Sequence, residues 1–266
     1  MELCVLSSGS CGNCIYVSAG DTELLVDDGI PYKLLKSSLA EIGRSPDRVA
    51  AVLLTHEHAD HCNGLRPFCR KNPDASLYAT EGTASGVEAV VNSGRCRPCD
   101  LMWTVFQAGC QPFEIGDFQI TPFLIPHDAS EPVGYVLSDG THRIAIATDI
   151  GTPTELIRRR LSGCDALVLE ANHDVEMLRN SSRPPSVIQR IHGRTGHLSN
   201  EQSAELLADV ASPTLKAVFP AHISGECNTL DLAEAAMRSA LRSVGLEKTT
   251  RIIPTHHLAV SEMLVL

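Results

Sequence analysis

The chain has 266 residues, of which 43% are hydrophobic and 20% are charged. Asp and Glu (32) outnumber Lys and Arg (22), which gives a formal net charge of -10. This composition is typical of a globular protein and excludes a disordered or fibrous chain. The acidic balance also excludes the overall basic surface that many nucleic-acid-binding domains carry.

Membrane and export signals are not visible in the sequence. The longest apolar run, residues 49–54, is far shorter than the roughly 20 residues of a membrane-spanning helix. The first residues carry no basic segment of the kind that opens a secretion signal. We therefore expect a cytoplasmic protein that does not associate with membranes, and, because no linker or repeat interrupts the chain, a single domain over residues 1–266.

Ten cysteines occur, and four of them form two CxxC pairs, Cys11/Cys14 and Cys96/Cys99. In a cytoplasmic protein they are expected to be reduced thiols. A four-thiolate zinc site built from both pairs is the alternative. The long separation of the two pairs disfavours it, because zinc ribbons keep their pairs about 15–20 residues apart.

The first half of the chain is rich in predicted strands. Short apolar or alternating runs separated by turn residues favour antiparallel hairpins near the N-terminus, and leucine spacing predicts a helix that ends at Gly43. The predicted strands are 2–6, 14–18, 22–26, 49–54, 118–125, 133–138 and 143–148. The predicted helices are 33–42, 64–71 and 83–92, the last of them ending at Gly94.

The second half alternates strands and helices more regularly. Ser199 and Gln202 have the spacing of a capping box at the start of a helix. The predicted elements are the helices 153–161, 199–210 and 230–244 and the strands 166–170 and 215–219. Strands from both halves, with helices available to cover their outer faces, predict a layered α/β sandwich.

The most informative segment is His56-Glu-His58-Ala-Asp60-His61, which directly follows the strand predicted at 49–54. Imidazole nitrogen and carboxylate oxygen suit zinc, manganese or iron. His56 and His58 are two residues apart, so in an extended loop they can converge on one ion. Asp60 and His61 come after the chain turns and can reach a second ion.

Three further polar side chains come at or just after the ends of predicted strands: His127, Asp149 and His222. Each one alone is also explained as a turn or cap residue. Together they bring potential ligands to strand ends, where a sheet can hold them rigidly. The sequence therefore predicts a metal site built from several strand ends.

This order of motifs resembles the metallo-β-lactamase-fold hydrolases over nearly the whole chain. Residues 7–14, 170–174, 196–200 and 222–228 further resemble the compact YycJ/WalJ-type branch, which is allied to ribonucleases J and Z and to cyclic phosphodiesterases. The resemblance implies a four-layer αββα sandwich and two divalent ions, zinc or manganese, with iron as a further candidate. It also implies that Asp27 supports the histidine loop without binding metal.

The resemblance further implies a division of the ligands between two ions. One ion would be held by His56, His58 and His127. The other would be held by Asp60, His61 and His222, with Asp149 bridging the two.

Two residues are candidates for catalytic roles. Asp60 could orient the attacking water. His197 stands just before the predicted helix start at Ser199, where an anion would meet unpaired N–H groups. Its imidazole could contact a phosphate oxygen or protonate the leaving alkoxide. A structural turn is the alternative for His197.

Asn13, His173 and Ser199 are the candidate substrate-binding residues. Each has a structural alternative, namely a hairpin turn, a buried hydrogen bond and a helix cap respectively.

We therefore expect a dinuclear-metal hydrolase, specifically a phosphodiesterase or an exonuclease-like nuclease. Its substrate would be a phosphodiester such as DNA or RNA, and no obligate protein partner is evident. The alternative is a hydrolase of esters, thioesters or lactams on the same fold, which a lack of the Gly196-His197-Leu-Ser199 element would have favoured. A metal-binding protein without hydrolytic activity is disfavoured, because all seven ligand positions are present.

Overall fold

A computed structural model describes residues 1–92, 101–109 and 111–266 of the chain. The predicted helix end at Gly94 and the Cys96/Cys99 pair lie outside these residues. The described chain divides into two compact units. The first unit comprises Met1–Pro122, Ala129–Val133 and His256–Leu266, and the second comprises Phe123–Asp128 and Gly134–Thr255. That the chain folds as one domain stays a prediction.

The strands are numbered here in chain order. They are β1 (Glu2–Ser7), β2 (Cys14–Ala19), β3 (Thr22–Val26), β4 (Val49–Leu53), β5 (Ser76–Thr80), β6 (Trp103–Phe106), β7 (Phe113–Ile115), β8 (Phe118–Leu124), β9 (Val133–Ser138), β10 (Arg143–Ala147), β11 (Ala166–Glu170), β12 (Ala217–Ala221), β13 (Arg251–Ile252) and β14 (Leu264–Val265).

The helices are numbered in the same way. They are α1 (Tyr32–Glu41), α2 (Ala59–Cys62), α3 (Leu65–Lys71), α4 (Glu81–Asn92), α5 (Glu155–Leu161), α6 (Val175–Arg179), α7 (Pro185–His192), α8 (Asn200–Val210) and α9 (Leu230–Ser243). A short 3-10 turn precedes β4.

The first sheet has the strand order β14-β1-β2-β3-β4-β5-β6. The predicted hairpins at the N-terminus are confirmed, because β1, β2 and β3 pair antiparallel. From β3 to β6 the pairs are parallel. Consequently β3 and β4 end at the same edge of the sheet, and the polar segments that follow them are brought close together.

The second sheet has the order β13-β12-β11-β10-β9-β8-β7. The strands β10, β11 and β12 are parallel neighbours in register, with Ile144 opposite Ala166 and Ala166 opposite Ala217. The register with β11 places β12 at Ala217–Ala221, whereas the sequence predicted a strand at 215–219. The carboxyl ends of all three strands therefore lie at one edge.

Each unit has its own apolar core. In the first unit, side chains such as Leu25, Val52 and Phe68 are fully buried between the sheet and α1, α3 and α4. In the second unit, Leu169, Leu207 and Met237 belong to the core that α5, α8 and α9 cover. These helices follow their apolar periodicity, as predicted. Within the described residues no helix combines the length and the apolar character needed to cross a bilayer.

Candidate metal centre

The first group of predicted ligands lies on the loop after β4 and on α2. The His56 and His58 rings meet edge to face, with His56 Nε2 3.0 Å from His58 Nδ1. The His61 ring lies tilted against His56, their centroids 4.1 Å apart, and its Nε2 is 3.5 Å from Asp60 Oδ2. Within the first unit the structure therefore brings together the four residues that the sequence singled out.

Asp27 fixes the orientation of this group from the end of β3. Its carboxylate accepts the backbone N–H of Thr55 (2.8 Å) and the Thr55 hydroxyl (2.8 Å). It also accepts Nδ1–H of His61 at 2.7 Å. Because the Thr55 hydroxyl donates its proton to Asp27, the Thr55 oxygen accepts a hydrogen bond from Nδ1–H of His56 at 3.0 Å. Both imidazoles therefore carry their lone pair on Nε2, which is the form that binds metal.

Asn13 and Gly29 hold the loop that carries Asp60. The Asn13 side-chain amide donates to Asp60 Oδ2 (3.2 Å) and to His61 Nε2 (3.0 Å). Gly29 lies so close to this turn that a Cβ built on it would come 1.7 Å from the Asp60 carbonyl oxygen. Only glycine permits that approach. Asn13 is itself buried, and its amide orients the side chains of Asp60 and His61. Contact between Asn13 and a substrate stays a prediction.

Asp28 is buried next to Asp27, but its carboxyl group forms no hydrogen bond with the histidine loop. It is fully buried, and neither carboxyl oxygen has a hydrogen-bond partner among the described residues. Burial, with the neighbouring charge of Asp27, raises the pKa of Asp28 to about 8. At neutral pH this carboxyl is therefore mostly protonated, since a neutral acid is the cheaper form in an apolar site.

The second group of predicted ligands lies at strand ends of the second unit. Asp149 follows β10 and His222 follows β12, so parallel pairing brings them to the same edge. Asp149 Oδ1 is 3.4 Å from His222 Nδ1 and 3.7 Å from His127 Nε2. These separations exceed the usual hydrogen-bond range. The carboxylate and the imidazoles thus converge with the spacing expected around a shared cation.

The backbone bends sharply at three of these sites. Among the described residues other than glycine, a positive φ occurs at Asp27 (60°), Asp149 (60°) and His222 (54°). Left-handed backbone is uncommon for residues with a Cβ and concentrates at functional sites. Asp27 and His222 directly follow a strand, and Asp149 comes two residues after the end of β10, so each bend turns a side chain off the strand direction.

Glu170, the last residue of β11, is a site residue for which the sequence analysis gave no role. It is fully buried, and its Oε1 accepts Nδ1–H of His197 at 2.7 Å. Its Oε2 accepts the backbone N–H groups of Ile150 (2.7 Å) and Leu198 (3.1 Å). Burial opposes ionisation, but the His197 charge and the hydrogen bonds from His197 and His222 outweigh it, so the pKa of Glu170 lies below its usual range.

The Glu170 contact determines how His197 is presented. Because Nδ1–H points to the carboxylate, Nε2 is the nitrogen available for chemistry, and the side chain is 16% exposed. Gly196 permits this position, since a Cβ there would come 2.1 Å from the Ile191 carbonyl oxygen. The ligand atoms of Asp149, Glu170, His197 and His222 lie within 4.8 Å of one another.

The donor set fits a divalent metal ion. His127 donates Nδ1–H to the Gly196 carbonyl at 3.1 Å, so its Nε2 lone pair faces Asp149. Burial lowers the pKa of His127, which keeps the ring neutral. Histidine ligands of metals nearly always have their other ring nitrogen bonded to a carboxylate or carbonyl. His61 and His127 both meet that condition.

His173 and Ser199, the other candidate substrate residues, are buried. The Ser199 hydroxyl accepts the N–H of Gln202, and the Gln202 side chain returns to the Ser199 N–H, which confirms the predicted capping box. The His173 ring packs edge-on against His192 and has no hydrogen-bond partner among the described residues. Burial, with the nearby His192, lowers the pKa of His173 to about 4. Substrate contact by either residue stays a prediction.

The sequence of this chain is similar to a known protein family and to two curated nucleases. Residues 25–223 match the profile of a Beta-lactamase superfamily domain. The chain is 34% identical over 245 residues to "Exodeoxyribonuclease YycJ" of Bacillus anthracis, covering 92% of this chain and 90% of that protein. It is 35% identical over 242 residues to "Exodeoxyribonuclease WalJ" of Streptococcus pneumoniae, covering 91% and 88%.

A solved structure with the same fold is Zn(2+)-bound PqqB from Methylobacterium extorquens. It covers 100% of both chains with a TM-score of 0.72 at 20% identity. Together with the profile match and the two mixed sheets with flanking helices, this likeness confirms the predicted αββα fold class.

Proposed function

Since the chain belongs to the beta-lactamase superfamily and is a metal-dependent hydrolase of phosphodiesters on that fold, we propose that its substrate is DNA and that it acts as an exodeoxyribonuclease. The observation that carries the proposal is the 34% identity to such a nuclease over 92% of the chain. Its site supplies histidine and aspartate ligands for divalent ions.

We propose that the seven predicted ligands hold two ions in the division that the family resemblance implies. His56, His58 and His127 would bind one ion. Asp60, His61 and His222 would bind the other, and Asp149 would bridge them. The donors are nitrogen and oxygen without thiolate, which favours zinc or manganese. When bound, such ions supply Lewis acidity toward the phosphate and make water acidic enough to ionise near neutral pH.

Asp60 is suited to orient the attacking water. Its side chain is 25% exposed, whereas that of His61 is fully buried. The Asn13 amide holds one of its oxygens at 3.2 Å. A carboxylate that is fixed at one oxygen and reaches solvent can accept a proton from water in a defined direction.

His197 is suited to act on the leaving oxygen. Glu170 holds Nδ1–H and leaves Nε2 directed elsewhere. An imidazolium paired with a buried carboxylate can protonate a departing alkoxide and return to neutrality. A thiolate leaves readily without protonation, so a general acid at this position favours phosphodiester cleavage over thioester hydrolysis.

The test compares His197→Ala with His142→Ala, a histidine on a turn outside the metal-binding residues. His197→Ala should keep its metal content and lose about 10²–10⁴-fold in turnover of single-stranded DNA. With bis-p-nitrophenyl phosphate the loss should be smaller, because p-nitrophenolate leaves without protonation. His142→Ala should behave like the unmodified protein.

The substrate class is tested on the same preparations. Metal-loaded protein that hydrolyses a thioester or a β-lactam, and leaves DNA and RNA intact, would contradict the proposal. Degradation of RNA in preference to DNA would contradict the assignment of DNA alone.

A further inference from the structure

A basic groove lies on α3, the helix that follows the ligand helix α2 after two residues. Arg66, Pro67, Arg70 and Lys71 line a cavity of about 210 Å³. Leu65 and Phe68, on the opposite side of the helix, are fully buried in the core of the first unit. The spacing i, i+1, i+4, i+5 therefore puts three cations on one helical face. We call these four residues the α3 groove.

Arg66 is the central observation. Its Nε and Nη2 atoms are buried and have no hydrogen-bond partner among the described residues. A buried donor without an acceptor is costly, and more so on a charged group. Because these two atoms are closed to solvent, the Arg66 side chain must change its rotamer before water or an anion in the groove can supply the acceptor. The groove has room for water, since its 210 Å³ is far more than the ~10–15 Å³ that one water needs.

The cations of the α3 groove differ from most arginines of the chain in their partners. Within residues 1–92, 101–109 and 111–266 none of the three forms an ion pair; Lys71 Nζ instead lies 5.3 Å from the centre of the Tyr32 ring. A contact with an aromatic face leaves the positive charge in place. In a chain of net charge -10, the α3 groove is thus a local positive site.

The arginines of residues 177–197 offer a contrast. That segment contains four arginines and no acidic residue, which suggests a polyanion site at first sight. In the structure three of them meet carboxylates from nearby in space. The pairs are Arg179 with Glu176, Arg183 with Glu226, and Arg190 with Asp128. Three of these four arginines thus have a carboxylate partner, whereas no cation of the α3 groove has one among the described residues.

We propose that the α3 groove binds a backbone phosphate of the DNA strand, away from the bond that is cut. Arginine forks match the geometry of phosphate oxygens, and phosphate contacts set the register of a nucleic acid on a protein. Arg66 comes six positions after Asp60, so their Cα atoms are at most about 20 Å apart. At 3.4 Å per nucleotide this corresponds to about six nucleotides or fewer. The inference rests on the proposed function.

The test uses the full metal-loaded protein with Arg66→Gln and Arg70→Gln combined. A double variant with the same charge change, Arg159→Gln with Lys248→Gln, replaces exposed cations elsewhere. Fluorescence anisotropy gives the Kd for a 12-nucleotide single strand over a range of salt concentrations. Turnover of bis-p-nitrophenyl phosphate, which is too small to reach α3 from the metals, reports on the site itself.

We expect the α3 double variant to bind the 12-mer about tenfold more weakly. Its slope of log Kd against log salt should fall by about 0.7, the value for one lost phosphate contact on a single strand. Binding of a dinucleotide and turnover of bis-p-nitrophenyl phosphate should stay unchanged. Should the double variant melt early, Arg70→Gln alone, at an exposed position, should weaken binding of the 12-mer and lower the slope by up to about 0.7. Arg66→Lys with Arg70→Lys should keep the salt slope.

Several results would overturn the inference. One is a folded α3 double variant, or a folded Arg70→Gln variant, that binds the 12-mer as the unmodified protein does. Another is an equal loss in the Arg159→Gln/Lys248→Gln control, which would make net charge the cause. A third is an α3 double variant that loses only the thermal stabilisation given by inorganic phosphate, which would make the groove a site for free phosphate.

The inference and the proposed function can fail separately. If the unmodified protein degrades DNA and the α3 variants degrade the 12-mer with the same KM, the groove is wrong and the nuclease stands. If the unmodified protein cleaves no DNA but loses 12-mer binding through the α3 changes, the groove stands and DNA as the substrate is wrong.

Discussion

Replacement of Glu170 by glutamine should disable His197 without moving it. The glutamine has the size of glutamate, but it must satisfy the N–H groups of Ile150 and Leu198 with its one oxygen. Its NH₂ group then points toward His197 Nδ1, 2.7 Å away in the unmodified protein. A donor at that position forces the ring proton onto Nε2. His197 is then held as a neutral imidazole, which is a poor acid.

The size of the effect follows from the contact. A buried hydrogen bond to a charged group contributes about 1.5–3 kcal/mol, which alone is roughly a 10–150-fold loss. The wrong tautomer adds to this, and a comparable carboxylate-to-amide change beside a catalytic histidine costs about 10⁴-fold in kcat. We therefore expect Glu170→Gln to lower kcat on single-stranded DNA by about 10²–10⁴-fold, with KM little changed.

The assay must separate action through His197 from loss of metal, because His222 Nδ1 is also 3.3 Å from Glu170 Oε1. Elemental analysis of the loaded variant gives the metal content. Kinetics of Glu170→Gln, His197→Ala and the double variant form a cycle. If Glu170 acts through His197, the double variant should be little slower than His197→Ala. Glu176→Gln, an exposed carboxylate on α6, is the matched control.

Two outcomes would refute this reasoning. One is full DNA turnover in Glu170→Gln with metal present. The other is additivity of the two single changes, which would show that Glu170 acts independently of His197.

Two further predictions concern metal binding and stability. Asp149→Ala should reduce the metal content from about two divalent ions per chain to below one and lower turnover more than 100-fold. Cys11→Ala, at an exposed thiol, should leave metal content and turnover unchanged. Equal metal loss in the two variants, measured by elemental analysis, would favour a thiolate site instead. Asp28→Asn should raise the free energy of unfolding at pH 8.5. The pKa of Asp28 rises from 3.8 to about 8 on folding, so the folded protein favours the protonated carboxyl. The contribution of this protonation to the free energy of unfolding is fully present below pH 4 and is lost as the pH rises toward 8. The shift of about four pKa units corresponds to ~5 kcal/mol, and denaturant unfolding at pH 4.5 and 8.5 should show a pH dependence that Asp28→Asn removes and exposed Asp47→Asn retains.

The sequence predicted the elements whose patterns are local. The hairpins at the N-terminus, the strand at 166–170 and the helix capped by Ser199 follow from alternation, apolar runs and a capping box, and all are confirmed. The helices α6 and α7 were missed. Both are short, with five residues in α6 and eight in α7. The apolar face of α7, formed by Val187, Ile188 and Ile191, spans little more than one helical turn, and it was overlooked.

The sequence predicted individual site residues better than their partners. A His-x-His-x-Asp-His motif can be recognised in the sequence itself. Glu170, in contrast, ends an ordinary apolar strand, and its role depends on the parallel pairing of that strand with the strands that lead to Asp149 and His222. One signal was available, since Glu170 is a carboxylate at a strand end like Asp149. The α3 groove had none, because three cations on a surface helix look the same whether or not carboxylates face them.

The left-handed backbone at Asp27, Asp149 and His222 limits how sequences of this fold can drift. A residue with an ordinary Cβ costs roughly 1–2 kcal/mol in that conformation, whereas glycine and asparagine adopt it readily. A descendant chain that abandons metal would therefore be expected to put Asn or Gly at these positions while the strands around them persist. Such a substitution would mark a chain that has lost its metal site but kept its fold. For the same reason, Asp149→Asn is a variant that removes the carboxylate charge while the left-handed turn is retained.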